Sequence, residues 1–179
     1  MRITLLGFMA AGKSTLGPVL AGRAGLDFVD LDGTIAAARG RSVAEIFATD
    51  GEAVFRRLEA EALAALADRE DLVLALGGGA VEVEQNHAHI QATHGVYLRW
   101  SWPVLTRRLF GPGADGRPLV EEGEAALRRR FKAREPLYIA LARQVLAMEE
   151  AGPGPGAQRR VLLRLADRIL AAAGWRRRS

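Results

Sequence analysis

Residues 7–14 read Gly7-Phe8-Met9-Ala10-Ala11-Gly12-Lys13-Ser14 and match the spacing G-x-x-x-x-G-K-[ST]. This spacing arises by chance in only a few of ~10⁵ windows at ordinary glycine frequency. It demands a buried strand before it and a helix after it, and both are legible. Residues 3–7 form a short apolar run of strand type, and residues 13–24 carry Leu16, Val19 and Leu20 at helical period. Each position has a physical use. The glycines let successive backbone N–H groups turn inward toward an anion, and the helix N-terminus adds positive potential at the same place. Lys13 is suited to neutralise β- and γ-phosphates, and Ser14 to offer its hydroxyl to Mg²⁺. Lys13 is one of only two lysines, the other being Lys132.

The rest of the chain alternates strand-like and helix-like stretches. Strands are expected at residues 28–30, 72–76, 95–99 and 144–148. Asp32 reads as the N-cap of a helix over 33–39, and Ser42-Val43-Ala44-Glu45 as a capping box. Helices are expected at 51–69, 83–93, from Ser101 or Trp102 to Leu109, and at 124–132. A further helical turn is expected to begin near Pro136, and a closing helix spans 158–173. Residues 110–123 hold Gly111-Pro112-Gly113, Asp115-Gly116 and Pro118, and read as a mobile loop or long connection. Alternating strands and helices imply an α/β fold with a parallel sheet covered on both faces. The 179 residues, 49% of them apolar, suffice for one core, and a single domain over 1–179 is expected.

Composition excludes several classes. Without cysteine there is no disulfide framework, thiol nucleophile or Cys-ligated metal. A net charge of +4 is mildly basic, and Arg128-Arg129-Arg130 and Arg176-Arg177-Arg178 lack interleaved aromatics, so no nucleic-acid partner is expected. No apolar run approaches the ~20 residues that span a bilayer, and a soluble, cytoplasmic protein without a membrane partner is expected. His87, His89 and His94 lack the spacing and companions of a metal site and read as solvated. Glu59 and Glu61 are expected on a solvated or supporting face, with Glu59 placed to orient Arg56.

Three features bear on where a phosphoryl group would go. Asp30 and Asp32 end the second strand, where one carboxylate can hold a hydrated Mg²⁺ and the other can take a proton from an attacking hydroxyl. Gly77-Gly78-Gly79 follows the third strand and suits close approach of backbone to a ligand. Arg56, Arg117 and Arg134 stand at separated places. Arg117, in the turn-rich loop, could close over a nucleotide, and the other two could clamp an anionic acceptor.

In order and spacing, these segments together resemble the shikimate kinase family. They are residues 7–15, Phe28-Val29-Asp30-Leu31-Asp32, residues 42–47, Asp50-Gly51-Glu52 with Phe55-Arg56-Arg57-Leu58-Glu59, Gly77-Gly78-Gly79-Ala80, Arg117-Pro118-Leu119, and Arg134-Glu135-Pro136-Leu137-Tyr138. The resemblance covers roughly residues 1–140. It implies a three-layer α/β/α P-loop fold of nucleoside-monophosphate-kinase type, with a five-stranded parallel sheet and a mobile lid near 110–123. It further implies transfer of the ATP γ-phosphate to the 3-hydroxyl of shikimate, with Mg²⁺ as cofactor.

Carried over by position, Ala10, Ala11, Gly12, Lys13, Ser14 and Thr15 would hold the nucleotide, with Arg107 at the adenine and Arg117 on the lid. Ser14 and Asp30 would serve the metal. Asp32 would bind the acceptor hydroxyl and act as base. Arg56, Gly77, Gly78, Gly79 and Arg134 would bind shikimate, the arginines at its carboxylate. Lys13, Asp32 and Arg117 would be the catalytic set. A monomer is expected. Ala10 and Ala11 depart from the glycine or serine usual in the family's loop, Val73-Leu74-Ala75-Leu76 lacks its hydroxyl residue, and the match fades past Val145. A related kinase with another anionic acceptor, or a nucleotide-binding module without turnover, are the alternatives.

Overall fold

The computed structural model describes residues 1–111 and 123–176. Five parallel strands form one sheet: β1 (Arg2–Leu6), β2 (Asp27–Asp30), β3 (Leu72–Ala75), β4 (His94–Arg99) and β5 (Gln144–Ala147). Their order across the sheet is β2-β3-β1-β4-β5. The central strands are apolar on both faces, as a sheet covered twice requires. Ile3, Leu5, Leu6, Val73, Val96 and Leu98 are all buried. The register pairs Leu5 with Ala75 and with Val96, and Asp30 with Ala75. The carboxyl ends of β1, β2 and β3 therefore lie side by side, and the segments that follow them share one crevice.

Helix α1 (Lys13–Ala24) packs along β2 and β3, and α8 (Ala157–Ala172) lies against α1 and β5. Between β2 and β3 run α2 (Leu31–Arg39), α3 (Val43–Asp50) and α4 (Glu52–Ala65). On the way to β4 the chain makes a 3-10 turn (Ala80–Glu82) and α5 (Gln85–Gln91), and α6 (Trp102–Phe110) and α7 (Glu124–Leu141) follow. The expected three-layer α/β fold is present. Among the described residues no helix is long and apolar enough to cross a membrane.

Several local expectations hold. Ser42 and Glu45 form the capping box, with the Ser42 hydroxyl accepting from the Glu45 amide and the Glu45 carboxylate accepting from the Ser42 amide. Others are corrected. Helix α2 begins two residues early, and its N-cap is Asp30, whose carboxylate accepts from the Gly33 amide at 3.3 Å. Asp32 caps nothing. Helix α4 ends at Ala65, not 69, because the chain turns there to enter β3, with Arg69 reaching back to Asp27 at 2.7 Å. Residues 83–93 hold a 3-10 exit and the short α5 instead of one helix.

The break expected near Pro136 is absent, and α7 runs unbroken for 18 residues with Pro136 inside it. Proline removes one intrahelical hydrogen bond, at a cost of ~3 kcal/mol. Leu127, Phe131, Arg134, Tyr138 and Leu141 form one buried stripe spaced three and four residues apart. Burying such side chains returns ~1.5–3 kcal/mol each, so packing outweighs the local preference.

An aromatic cluster ties α7 to the phosphate loop. The Phe8 ring meets Phe131 edge-on at 5.5 Å, and Trp102 of α6 lies 5.5 Å from Phe131. The Arg134 guanidinium lies 5.9 Å from the Phe8 ring centre. Contacts of this kind contribute ~0.5–1.5 kcal/mol each and fix how α7 faces the loop.

Candidate active site

The loop between β1 and α1 has the left-handed residues an inward-facing nest needs: Gly12 at φ +90° and Ala10 at φ +62°. Gly12 carries that conformation freely, whereas Ala10 has a Cβ and is strained there. The loop is pinned from outside by the Trp100 indole N–H, which donates to the Ala11 carbonyl at 2.9 Å, and by Arg108, which donates to the Ala10 carbonyl at 3.4 Å. The Lys13 ammonium folds back over the loop, donating to the Gly7 and Phe8 carbonyls at 2.8 and 3.2 Å. The Ser14 hydroxyl donates to Asp30 Oδ2 at 2.5 Å.

Inward of this loop lies a cavity of about 280 Å³ whose lining includes Lys13, Ser14, Asp30, Asp32, Arg56 and Arg134. Gly77, Gly78, Gly79 and Ala10 line it too, with Met9, Val43, Phe47 and Phe55 as its apolar wall. Asp32 sits in the first turn of α2 with Oδ1 buried and without a hydrogen-bond partner. Burial raises its carboxyl above the ordinary carboxylate range, Lys13 and Arg56 pulling down and Asp30 pushing up.

Two arginines line the same cavity from different helices. Arg56 of α4 donates to Glu59 at 2.8 Å and to Glu52 at 3.0 Å. Arg134 of α7, only 1% exposed, donates to Glu82 at 2.6 Å and leaves its Nε buried and unpartnered. The glycine run is required by close approach. A Cβ on Gly77 would overlap Glu59 Oε1 and Asp32 Oδ1, and one on Gly79 would overlap the Arg56 guanidinium. The Gly78 carbonyl accepts from the Tyr138 hydroxyl at 2.5 Å.

Glu59 is fully buried, so no solvated face exists at that position. Its carboxyl is pushed up to about 7, chiefly by burial and secondarily by Asp32, with Arg56 opposing. The i, i+3 spacing from Arg56 was the only sequence signal for it.

A second cavity, about 330 Å³, opens on the outer side of the loop. Ala11, Gly12 and Thr15 line it together with Trp100, Arg108, Glu150 and the first turns of α8. The Arg108 guanidinium lies 3.8 Å from the Trp100 ring centre, a stacked pair that walls the cavity. Arg107 is instead 62% exposed and paired with Glu150 at 2.5 Å. Arg108 was missed in the sequence because neighbouring helical residues point ~100° apart, and only packing shows which of them faces the loop. Arg117 lies outside the described residues.

The donor set suits Mg²⁺. A serine hydroxyl and two carboxylates are hard oxygen ligands, and Ser14 already holds Asp30. Among the described residues no group of three or more His, Cys, Asp or Glu forms a closed metal cage.

A strand, a glycine loop and a helix N-terminus bearing Lys13 and Ser14, with the Asp32 carboxylate, the half-buried Arg56 and the buried Arg134 on the same cavity, define a P-loop phosphotransferase. Comparison with known proteins agrees. The family described as shikimate kinase matches residues 9–170. The shikimate kinase of Chlorobaculum tepidum is 42% identical over 147 residues, covering 76% of this chain and 76% of its own. That of Salinibacter ruber is 43% identical over 152 residues, covering 84% and 74%. Among solved structures, Acinetobacter baumannii shikimate kinase in complex with shikimate superposes with a TM-score of 0.80 at 34% identity, covering 94% of this chain and 90% of that one. The Bacteroides thetaiotaomicron enzyme does so at 0.83 and 30%, covering 96% and 97%. A gluconokinase from Sinorhizobium meliloti, 18% identical with a TM-score of 0.52, shares the fold alone. This chain belongs to the shikimate kinase family.

Proposed function

We infer that the cleft transfers the γ-phosphoryl group of ATP to the 3-hydroxyl of shikimate, giving shikimate 3-phosphate and ADP. The observation that carries this reading is the convergence of Lys13, Asp32, Arg56 and Arg134, from four different helices, on one cavity beside the phosphate loop. The loop amides and Lys13 hold the triphosphate. The outer cavity walled by Arg108 and Trp100 takes the base, leaving Arg107 to tether Arg108's helix to Glu150.

Arg56 and Arg134 receive the acceptor's carboxylate, and the buried Arg134 Nε supplies a donor already stripped of water. Gly77, Gly78 and Gly79 let the ring lie against backbone. Asp32 orients the hydroxyl and takes its proton as the new O–P bond forms and the bond from phosphorus to the β,γ-bridging oxygen breaks. A base with its pKa raised toward neutrality holds that proton better than an ordinary carboxylate. Ser14 and Asp30 would hold Mg²⁺, which when bound spreads the negative charge of the β- and γ-oxygens. Arg117 belongs to the same proposal as a cation at the migrating phosphoryl. A monomer suffices for it, since every group named comes from one chain, and a cytoplasmic setting supplies both ATP and Mg²⁺.

The test is ADP release by the purified protein with shikimate, gluconate and nucleoside monophosphates as acceptors. Turnover with shikimate and none with the others is expected. Turnover with gluconate or a nucleotide but not shikimate overturns the acceptor. ATP binding with no turnover on any of them would mean a binding module.

A further inference from the structure

Glu52 is the first residue of α4, one-third exposed, and reaches the two arginines that line the acceptor cavity. Its Oε1 lies 3.0 Å from Arg56 Nη2 and 4.0 Å from Arg134 Nη2. Its Oε2 lies 3.4 Å from Arg130 Nη1. One carboxylate oxygen thus stands between the two guanidinium groups that the proposed function gives to the acceptor's carboxylate. Each arginine has another, separate tether: Glu59 for Arg56 and Glu82 for Arg134. Glu52 is therefore not needed to hold either one, and its position between them calls for a different explanation.

We propose that Glu52 is a resident stand-in for the acceptor's carboxylate, displaced when a carboxylate-bearing acceptor binds. The inference rests on the assignment of Arg56 and Arg134 to that carboxylate. Two guanidinium groups that keep donors beyond those Glu59 and Glu82 occupy would attract any small anion. Glu52 satisfies the pair and still yields, because it is partly solvated and gives up little on leaving. A carboxylate-bearing acceptor replaces the ion pairs it breaks. A neutral acceptor cannot, and leaves Glu52 in place on the arginines. The phosphorylated product keeps the same carboxylate, so the return of Glu52 also favours its departure.

The experiment is calorimetry and steady-state kinetics on the full chain, comparing wild type with Glu52→Gln, using shikimate and its methyl ester. In Glu52→Gln the shikimate Kd and KM should fall by about two- to fivefold, the size expected for loss of a partly exposed ion-pair competitor. The KM for ATP should not move, kcat should hold or drop, and no gain should appear with the ester. A shikimate KM that is unchanged or raised overturns the proposal, since a residue that merely positions the arginines would weaken binding when neutralised. An equal gain with the ester overturns it too. Glu52→Asp, which keeps the charge but draws it back from Arg134, should give a smaller gain of the same sign, and decides the matter should Glu52→Gln fail to fold. Wild-type protein that binds ATP but not shikimate defeats the underlying acceptor assignment, a result that no Glu52 variant can produce.

Discussion

Asp32 and Glu59 each aim one buried, unpartnered carboxylate oxygen at the open side of Gly77. They come from different helices, α2 and α4; burial raises the pKa of both, and Asp32 adds to the rise at Glu59. The pair stores unfavourable electrostatics beside the cleft, as sites that move protons often do.

A pH dependence of stability follows. Glu59 has a carboxyl pKa of about 7 in the folded chain against an ordinary value of 4.5, so the folded state binds its proton more tightly. Its stabilising contribution is present below the unfolded value and is lost as pH rises from 4.5 through 7, by on the order of 3 kcal/mol at most. Asp32 acts in the same sense. Thermal melts at pH 5 and pH 8 should therefore show wild type losing more stability with rising pH than Glu59→Gln does. Equal slopes would mean that Glu59 is ionised throughout.

Removing the charge at Asp32 should separate chemistry from nucleotide binding. Asp32→Asn is expected to cut kcat by ~10²–10⁴, the usual worth of a positioned base, with ATP affinity nearly unchanged. Single-turnover kinetics and nucleotide titration check both halves. A parallel loss of ATP binding would place Asp32 on the nucleotide side.

Tyr138 reaches the cleft only through backbone. It is fully buried, stacks on Tyr97 at 5.0 Å, and holds the Gly78 carbonyl. Tyr138→Phe leaves that carbonyl without its donor, at a stability cost of ~1–3 kcal/mol. The shikimate KM should rise, while kcat and the KM for ATP change little. An unaltered shikimate KM would reduce Tyr138 to a packing residue.

Ala10 is a strained position in the phosphate loop. A left-handed conformation costs an L-residue ~1–2 kcal/mol, while glycine sacrifices only ~0.5–1 kcal/mol of chain entropy. Ala10→Gly should raise stability by ~0.5–1 kcal/mol in urea titrations without weakening ATP binding. A loss of stability would show that the Ala10 methyl group packs more favourably than its backbone is strained.

Much of this was legible before any fold was known, and for a local reason. A phosphate loop is made by consecutive residues whose backbone preferences are set within a few positions, so Gly7 to Ser14 declare themselves. The capping box at Ser42 and the alternation of strands with helices are local in the same way. The order of the motifs along the chain then identified the family, and with it the residues that line the cleft.

Tertiary structure decided what depends on residues far apart. By sequence Asp32 reads as the cap of α2, and the start of the helix against the sheet made Asp30 the cap and left Asp32 in the cleft. Arg107 and Arg108 are adjacent, and the docking of α6 beside Trp100 turned Arg108 toward the phosphate loop. Pro136 signals a break locally, and burial of the α7 stripe overrode it. Glu52 and Glu82 look like surface charges in sequence, and Glu59 is marked only by its spacing from Arg56. They become part of the site because α4, α7 and the turn after the glycine run bring their carboxylates against Arg56 and Arg134. Propensities act over a few residues, whereas burial and charge pairing act across the whole fold, and only the folded chain brings those partners into contact.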